Sequence, residues 1–253
     1  SKRRLLSMNK LFSTPQTLSH PRYVSHRGFQ PMAPANSLPS FEYAGYLRQW
    51  AIETDVHFTR DGVAVCCHND TVDATFDGTG AIREMDWAEL SRLRMNQGNR
   101  LDCLRDEQKR MPLFSEYLSI CRHYGSVPFI ELKTDDVERV MALVRQAGFS
   151  DDEIVISAVS LERMQIARRV SEDVFIHRIF ATEEELPILA ELGNAGLSWN
   201  IKDVRDCTPD KITRPHEMGL KVCLRAGDTL ENVRRMLELG CDYIPSNCMH
   251  GVL

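Results

Sequence analysis

Glu53 and Asp55 stand two apart in the stretch AIETDV, and His68 follows them after an Asp-Gly turn and a short apolar run. Residues two apart on a strand share a face, so these acids lie side by side. Paired carboxylates repel unless a cation sits between them, and hard oxygen ligands suit Ca²⁺ or Mg²⁺. The pattern recurs: FIELK carries Glu131 and Lys133 two apart, and SHRGF carries His26 and Arg27. Three carboxylates, Glu53, Asp55 and Glu131, can hold a divalent cation. His26 and His68 can exchange protons near neutral pH. Arg27 and Lys133 can hold an anionic oxygen. A metal, an acid/base pair and an anion clamp together suit phosphoryl transfer to an oxygen.

The turn TRDGV sets how His68 returns to the acids. With Asp61 and Gly62 as a two-residue loop, paired positions sum to 123 and Asp55 lies opposite His68, with Cβ atoms ~5 Å apart. A three-residue turn with a bulge shifts that register. His57, just past Asp55, is assigned to the opposite face as a surface or supporting histidine. Trp199 ends the run GLSWN, where it can pack in the core or line a substrate cleft.

These residues need a frame. Eight short β-rich runs begin near Arg22, Ala51, Val127, Glu153, Val174, Ala195, Leu220 and Asp242. Amphipathic stretches separate the later ones; Val137, Val140, Met141 and Val144 recur at helical spacing, and three such stretches stop at or near a glycine. Alternation of strand and helix predicts a parallel sheet, and eight units in this length predict a TIM (β/α)₈ barrel, with an open doubly wound sheet as the alternative. Active sites of such barrels lie at the C-terminal strand ends, where His26, Glu53, Asp55 and Glu131 fall. Residues 1–20 read as an N-terminal arm and 21–253 as the barrel. A charged segment, 70–111, reads as an insertion after the second strand, on the catalytic face, with a helix over Asp86 to Arg94.

The chain has 253 residues and a formal net charge of -5, with 43% hydrophobic and 26% charged residues. This is an ordinary globular balance, and the charge disfavours nucleic acid, which calls for a basic face. A metal and a few local cations still suit a phosphate-bearing small molecule. No apolar run approaches the ~20 residues that span a bilayer, and the basic start has no sustained apolar stretch. The eight cysteines include no C-x-x-C pair and read as reduced thiols of a cytoplasmic protein, with an exported, bridged form left open.

Four motifs in order resemble the glycerophosphodiester phosphodiesterase family: HRG at His26 to Gly28, ETD at Glu53 to Asp55, CHND with His68 after the D-G turn, and ELK at Glu131 to Lys133. FDGTGAIREMDWAEL, MPLFSEYL and LGCDYIPSN resemble further family segments, so the likeness runs from Tyr23 to Asn247. It implies a TIM barrel that hydrolyses glycerophosphodiesters to glycerol 3-phosphate and an alcohol. Glu53, Asp55 and Glu131 would then bind Ca²⁺ or Mg²⁺, His26 and His68 would be the acid/base pair, and Arg27 and Lys133 would bind phosphate. The implied reaction starts with attack by the substrate's neighbouring hydroxyl and passes through a cyclic phosphate. Two departures stand out. Ala35 replaces the glutamate of the family's P-E-N, leaving Asn36 to order the loop or touch the site. LRAG replaces the late W-T-V-N, so an aromatic wall is missing and Arg225 brings a cation suited to a second anionic group. Two other functions remain open: a lipid-cleaving barrel of the lysophospholipase D or sphingomyelinase D kind, and a non-catalytic barrel that binds a phospho-metabolite.

Overall fold

The computed structural model describes residues 10–225 and 227–251; the first nine residues of the expected arm lie outside the described residues. Among the described residues the strands are β1 (Tyr23–Ser25), β2 (Ala51–Phe58), β3 (Ala64–Cys66), β4 (Val127–Leu132), β5 (Val155–Ala158), β6 (Phe175–Arg178), β7 (Ala195–Ser198), β8 (Lys221–Cys223) and β9 (Ile244–Ser246). Their order is β8-β7-β6-β5-β4-β2-β1-β9, parallel throughout, with β3 pairing antiparallel to β2 off this path. Eight staves therefore form a TIM barrel. The seam between β9 and β8 is held by Gly227 N–H on Pro245 O and Asp242 N–H on Val222 O, both 2.8 Å.

Each stave is buried on both faces, as barrel strands must be. Val24, Ala51, Phe129, Val155, Phe175, Cys223 and Tyr243 form the inner core. Alternate residues, Ile52, Ile130, Ile156, Ile176, Leu197, Val222 and Ile244, join the outer core beneath the helices. The helices are α1 (Leu38–Tyr46), α2 (Trp87–Leu90), α3 (Phe114–Tyr124), α4 (Val137–Gln146), α5 (Leu161–Val170), α6 (Leu186–Leu192), α7 (Asp210–Glu217) and α8 (Leu230–Leu239). In α4 the four residues at helical spacing are all buried. Ser160 and Thr229 cap α5 and α8 by accepting the amides of Arg163 and Asn232, satisfying donors that a helix start leaves free.

Beneath the barrel Phe12 packs on Phe175 and Trp50, with centroids at 5.0 and 5.6 Å, so the chain before β1 closes the end opposite the strand C-termini. The segment 70–111 carries its own small core, in which Val72, Phe76, Ile82, Leu90, Met95 and Met111 pack on Val65 and Cys67. Its helix, α2, is a single turn, shorter than the expected Asp86 to Arg94. All eight cysteines are unbridged, and no helix among the described residues is long and apolar enough to cross a membrane.

Candidate active site

β1 ends in a turn built from two left-handed residues, Arg27 (φ 57°) and Gly28 (φ 83°). A side chain at Gly28 would stand 2.7 Å from the Ser40 carbonyl carbon, so only glycine fits. The turn aims the Arg27 N–H at Glu53 Oε2, 2.8 Å away. Asn36, also left-handed at φ 53°, donates to Asp55 Oδ2 at 2.9 Å and accepts from Thr54 Oγ1 at 2.8 Å. Both ends of its amide are thus engaged, and Asn36 holds Asp55.

The acids converge because β2 and β4 are neighbours in a register that sets Asp55 beside Glu131. Carboxylate oxygens of Glu53, Asp55 and Glu131 lie within 4.8 Å of one another. Glu53 is 6% exposed and Asp55 fully buried. Burial, then repulsion from Asp55 and Glu131, pushes the Glu53 carboxyl well above its ordinary range. Burial and Asp55 push Glu131 up as well. Lys133 Nζ lies 2.5 Å from Glu131 and 3.3 Å from Asp55 Oδ1, and Arg27 Nε lies 3.5 Å from Asp55 Oδ2. Burial works against the charged lysine, but the two acids outweigh it and hold its pKa above the usual value. Two cations against three acids leave the cluster short of positive charge. Asp55 Oδ1 is buried without a hydrogen bond. A buried oxygen served only by the Lys133 ion pair, beside two other hard donors, fits a divalent cation.

His26 is fixed by a network absent from the expected residues. Asp228 can only accept, so the Asn247 amide nitrogen must face it, and does so at 2.7 Å. Asn247 Oδ1 then faces His26 Nδ1 and Gln30 Nε2, both at 2.8 Å. An oxygen there requires the proton on Nδ1, which leaves a lone pair on His26 Nε2. Burial, then Arg27, lowers the His26 pKa, keeping the ring neutral near pH 7. His68 Nδ1 meets Asn69 Oδ1 at 2.8 Å. Burial lowers its pKa while the Asp55 charge opposes the shift, and His26 in turn senses His68. A cleft of about 410 Å³ opens here, lined by His68, Asn69, Asp70, Lys133 and Arg163.

Three expectations change. The hairpin loop has three residues: Thr59 N–H donates to Val63 O, Gly62 adopts φ 82°, and Val56 pairs with Cys66. Paired positions sum to 122, so Asp55 meets Cys67 (N–H to O 3.1 Å), and His68 joins the site from the segment past β3. His57 lies on the Asp55 face, since a two-residue step on a regular strand returns to the same side. Its ring is 7% exposed, senses Asp70 and Asp55, and has no partner for Nε2. Trp199 is not brought to the acids. It is 5% exposed in the outer core, donating from its indole to Lys211 O at 2.6 Å, with Lys211 Nζ 4.8 Å over its ring. Arg225 is exposed past the end of β8, 5.1 Å over the Phe180 ring.

The model of the glycerophosphoryl diester phosphodiesterase family matches residues 26–248. Glycerophosphodiester phosphodiesterase 1 of Mus musculus is 31% identical over 112 residues, 44% of this chain and 33% of that protein. This chain thus matches about a third of the length of that relative. A probable glycerophosphodiester phosphodiesterase 2 of Mycobacterium tuberculosis is 25% identical over 240 residues, covering 87% of this chain and 85% of that protein. Among solved structures, an Oleispira antarctica phosphodiesterase in complex with the product sn-glycerol-3-phosphate shares the fold, with TM-score 0.79 and 22% identity over 90% of this chain and 93% of that one. With four strand-end motifs gathered at one barrel mouth and the family model spanning nearly all of it, the chain belongs to the glycerophosphoryl diester phosphodiesterase family.

Proposed function

We propose that this barrel is a metal-dependent phosphodiesterase that cleaves glycerophosphodiesters, or similar small diesters, to glycerol 3-phosphate and an alcohol. The observation that carries this reading is the acid triad, with oxygens within 4.8 Å of one another, ringed by two histidines and two cations. Glu53, Asp55 and Glu131 would hold Ca²⁺ or Mg²⁺, which when bound lowers the pKa of an attached hydroxyl and offsets charge on phosphate. Arg27 and Lys133 bind the phosphate oxygens. One imidazole takes the proton of the substrate's neighbouring hydroxyl as that oxygen attacks phosphorus; the other protonates the departing alkoxide. The cyclic phosphate so formed is opened by water, with the two rings exchanging roles. The free lone pair on His26 Nε2 suits that atom to take a proton, and once protonated to return it.

The relatives' names support the substrate class, as does the neighbour holding sn-glycerol-3-phosphate. The polar lining of the cleft, Asn69, Asp70, Lys133 and Arg163, favours a small polar diester over a lipid. Eight unbridged cysteines support a reducing, cytoplasmic setting. The test is turnover of bis(p-nitrophenyl) phosphate and a panel of glycerophosphodiesters with Ca²⁺, with Mg²⁺ and with EDTA. Turnover that EDTA abolishes is expected; an inert protein under every condition points to a barrel that binds a phospho-metabolite without cleaving it.

A further inference from the structure

Arg225 lacks a role in the site described so far. Cys223 belongs to the inner core and Leu224 to the outer one, so the next residue, Arg225, returns to the barrel's inner side just past the end of β8. In strand order β8 lies across the mouth from β4, the stave that carries Glu131 and Lys133. Among the described residues no carboxylate pairs with Arg225, although the protein carries an excess of acids. Its guanidinium instead stands 5.1 Å over Phe180. Phe180 is a non-glycine residue at φ 58°, a strained conformation that persists only where its surroundings impose it. Here they do: Phe180 N–H donates to Ser198 Oγ at 3.1 Å, and the flanking amides of Ile179 and Ala181 donate to Ala158 and Ser198 carbonyls at 2.9 and 3.0 Å. The strained turn presents the ring at the rim, half-buried, as a platform under a cation. A guanidinium stacked on an aromatic face keeps its in-plane N–H groups free for an oxyanion.

We propose that Arg225 and Phe180 form a subsite for an anionic group, a carboxylate or a phosphate, on the departing alcohol of the diester. This rests on the phosphodiesterase reading above and adds the identity of the leaving side. For this subsite to be reached, a diester whose phosphate lies at Arg27 and Lys133 must extend its alcohol across the mouth toward β8. A choline or ethanolamine head group meets a like charge there, whereas an acidic one meets its complement.

The experiment compares wild type, Arg225→Ala, Arg225→Glu and Arg225→Lys on four diesters. Glycerophosphoserine supplies a carboxylate and glycerophosphoinositol 4-phosphate a phosphate; glycerophosphocholine and glycerophosphoglycerol are the cationic and neutral comparators. The readout is the ratio of kcat/KM for an acidic diester to that for glycerophosphoglycerol. Arg225→Ala is expected to lower the ratio about tenfold, the worth of one charge-assisted hydrogen bond. Arg225→Glu is expected to lower it further, and Arg225→Lys to recover part. The acidic probe that responds identifies carboxylate or phosphate. Calorimetric binding of the same diesters to a His26→Gln protein, with and without Arg225→Ala, reads the same preference without cleavage. If no diester is hydrolysed, the hydrolytic reading falls and the binding ratio decides this one. Ratios within twofold of wild type for both acidic probes overturn it.

Discussion

Replacing Asn247 with leucine tests whether the proton-transfer geometry is built as the network implies. The substitution keeps most of the side-chain volume and removes three hydrogen bonds: to His26 Nδ1 and Gln30 Nε2 at 2.8 Å, and to Asp228 Oδ2 at 2.7 Å. Asp228 keeps the Ser246 hydroxyl and the backbone amide of residue 247, at 3.0 and 2.7 Å, so the end of β9 stays anchored, and the three lost bonds cost the fold about 2–4 kcal/mol. His26 loses its orientation. With no acceptor at Nδ1 the ring can rotate and can place its proton on Nε2, the atom that must carry the lone pair. One to two hydrogen bonds that hold a reacting group amount to about 1.5–3 kcal/mol, or roughly 10- to 150-fold in rate. The expected result is a fall in kcat of about 30-fold, with KM changed less than about threefold because no phosphate ligand moves. Asn247→Asp adds a second arm. The new carboxyl meets Asp228 Oδ2, where the pair shares a proton; the charge that remains opposes the burial that lowers the His26 pKa, so whichever limb of the kcat–pH profile His26 governs moves to higher pH. A leucine variant that folds and retains kcat within twofold would refute the argument, since His26 would then need no orienting partner.

Gly28→Ala puts a Cβ 2.7 Å from the Ser40 carbonyl carbon at φ 83°; strain and overpacking together predict a loss of about 2–4 kcal/mol by urea unfolding, and activity falls with the Arg27 turn. Asp242→Asn probes the β8–β9 seam, where the carboxylate accepts Val222 N–H at 2.8 Å beside His216 and Lys221. Burial alone would raise the Asp242 pKa, but His216, the Val222 amide and Lys221 together hold it below its ordinary value. Its stabilisation is therefore present above the unfolded carboxyl pKa and fades as pH falls through the folded one. The variant is expected to lose about 1.5–3 kcal/mol at pH 7, a gap that narrows in acid when unfolding is followed from pH 7 to pH 3. Glu53 behaves oppositely, because burial and neighbouring acids raise its pKa. Its stabilising contribution is complete below the unfolded pKa and is lost as pH rises through the folded one. Metal-free Glu53→Gln should therefore melt above metal-free wild type at pH 7, by on the order of 1–3 kcal/mol, and gain less from added Ca²⁺ or Mg²⁺ in the same thermal scan.

The barrel was legible where strand and helix periods stand alone. The later units read cleanly because α4 and α8 bury one stripe: Val137, Val140, Met141 and Val144 in the first, Val233 and Met236 in the second. α1 was not, because it buries Phe41, Ala44 and Gly45 while leaving Tyr43 and Tyr46 exposed, so apolar residues fall on both sides. α7 carries Pro215 within it, a residue that ordinarily signals a break. The hairpin turned on one torsion: Gly62 at φ 82° closes a three-residue loop, and Asp-Gly is compatible with that loop and with a two-residue one.

The site was legible wherever one rule, the two-residue period of a strand, was carried through, and misread where it was not. Ala51 faces the inner core, so Glu53, Asp55 and His57 face it too, and the neighbouring register brings Glu131 level with Asp55. The same count assigns Trp199. Gly196 has its missing side chain pointed at Phe175 and Tyr243, so Ser198 is inward and Trp199 outward, under α7. It also assigns Arg225, two past inward Cys223, to the mouth. Asn247 lies beyond the reach of any local period, being 221 residues from the histidine it orients. What makes them neighbours is closure: β1 pairs with β9, setting Ser25 beside Ser246, so the residues just past each strand meet. In a closed barrel the first and last staves are adjacent by necessity. A polar residue directly after the last strand therefore belongs with the candidates for holding a site residue directly after the first.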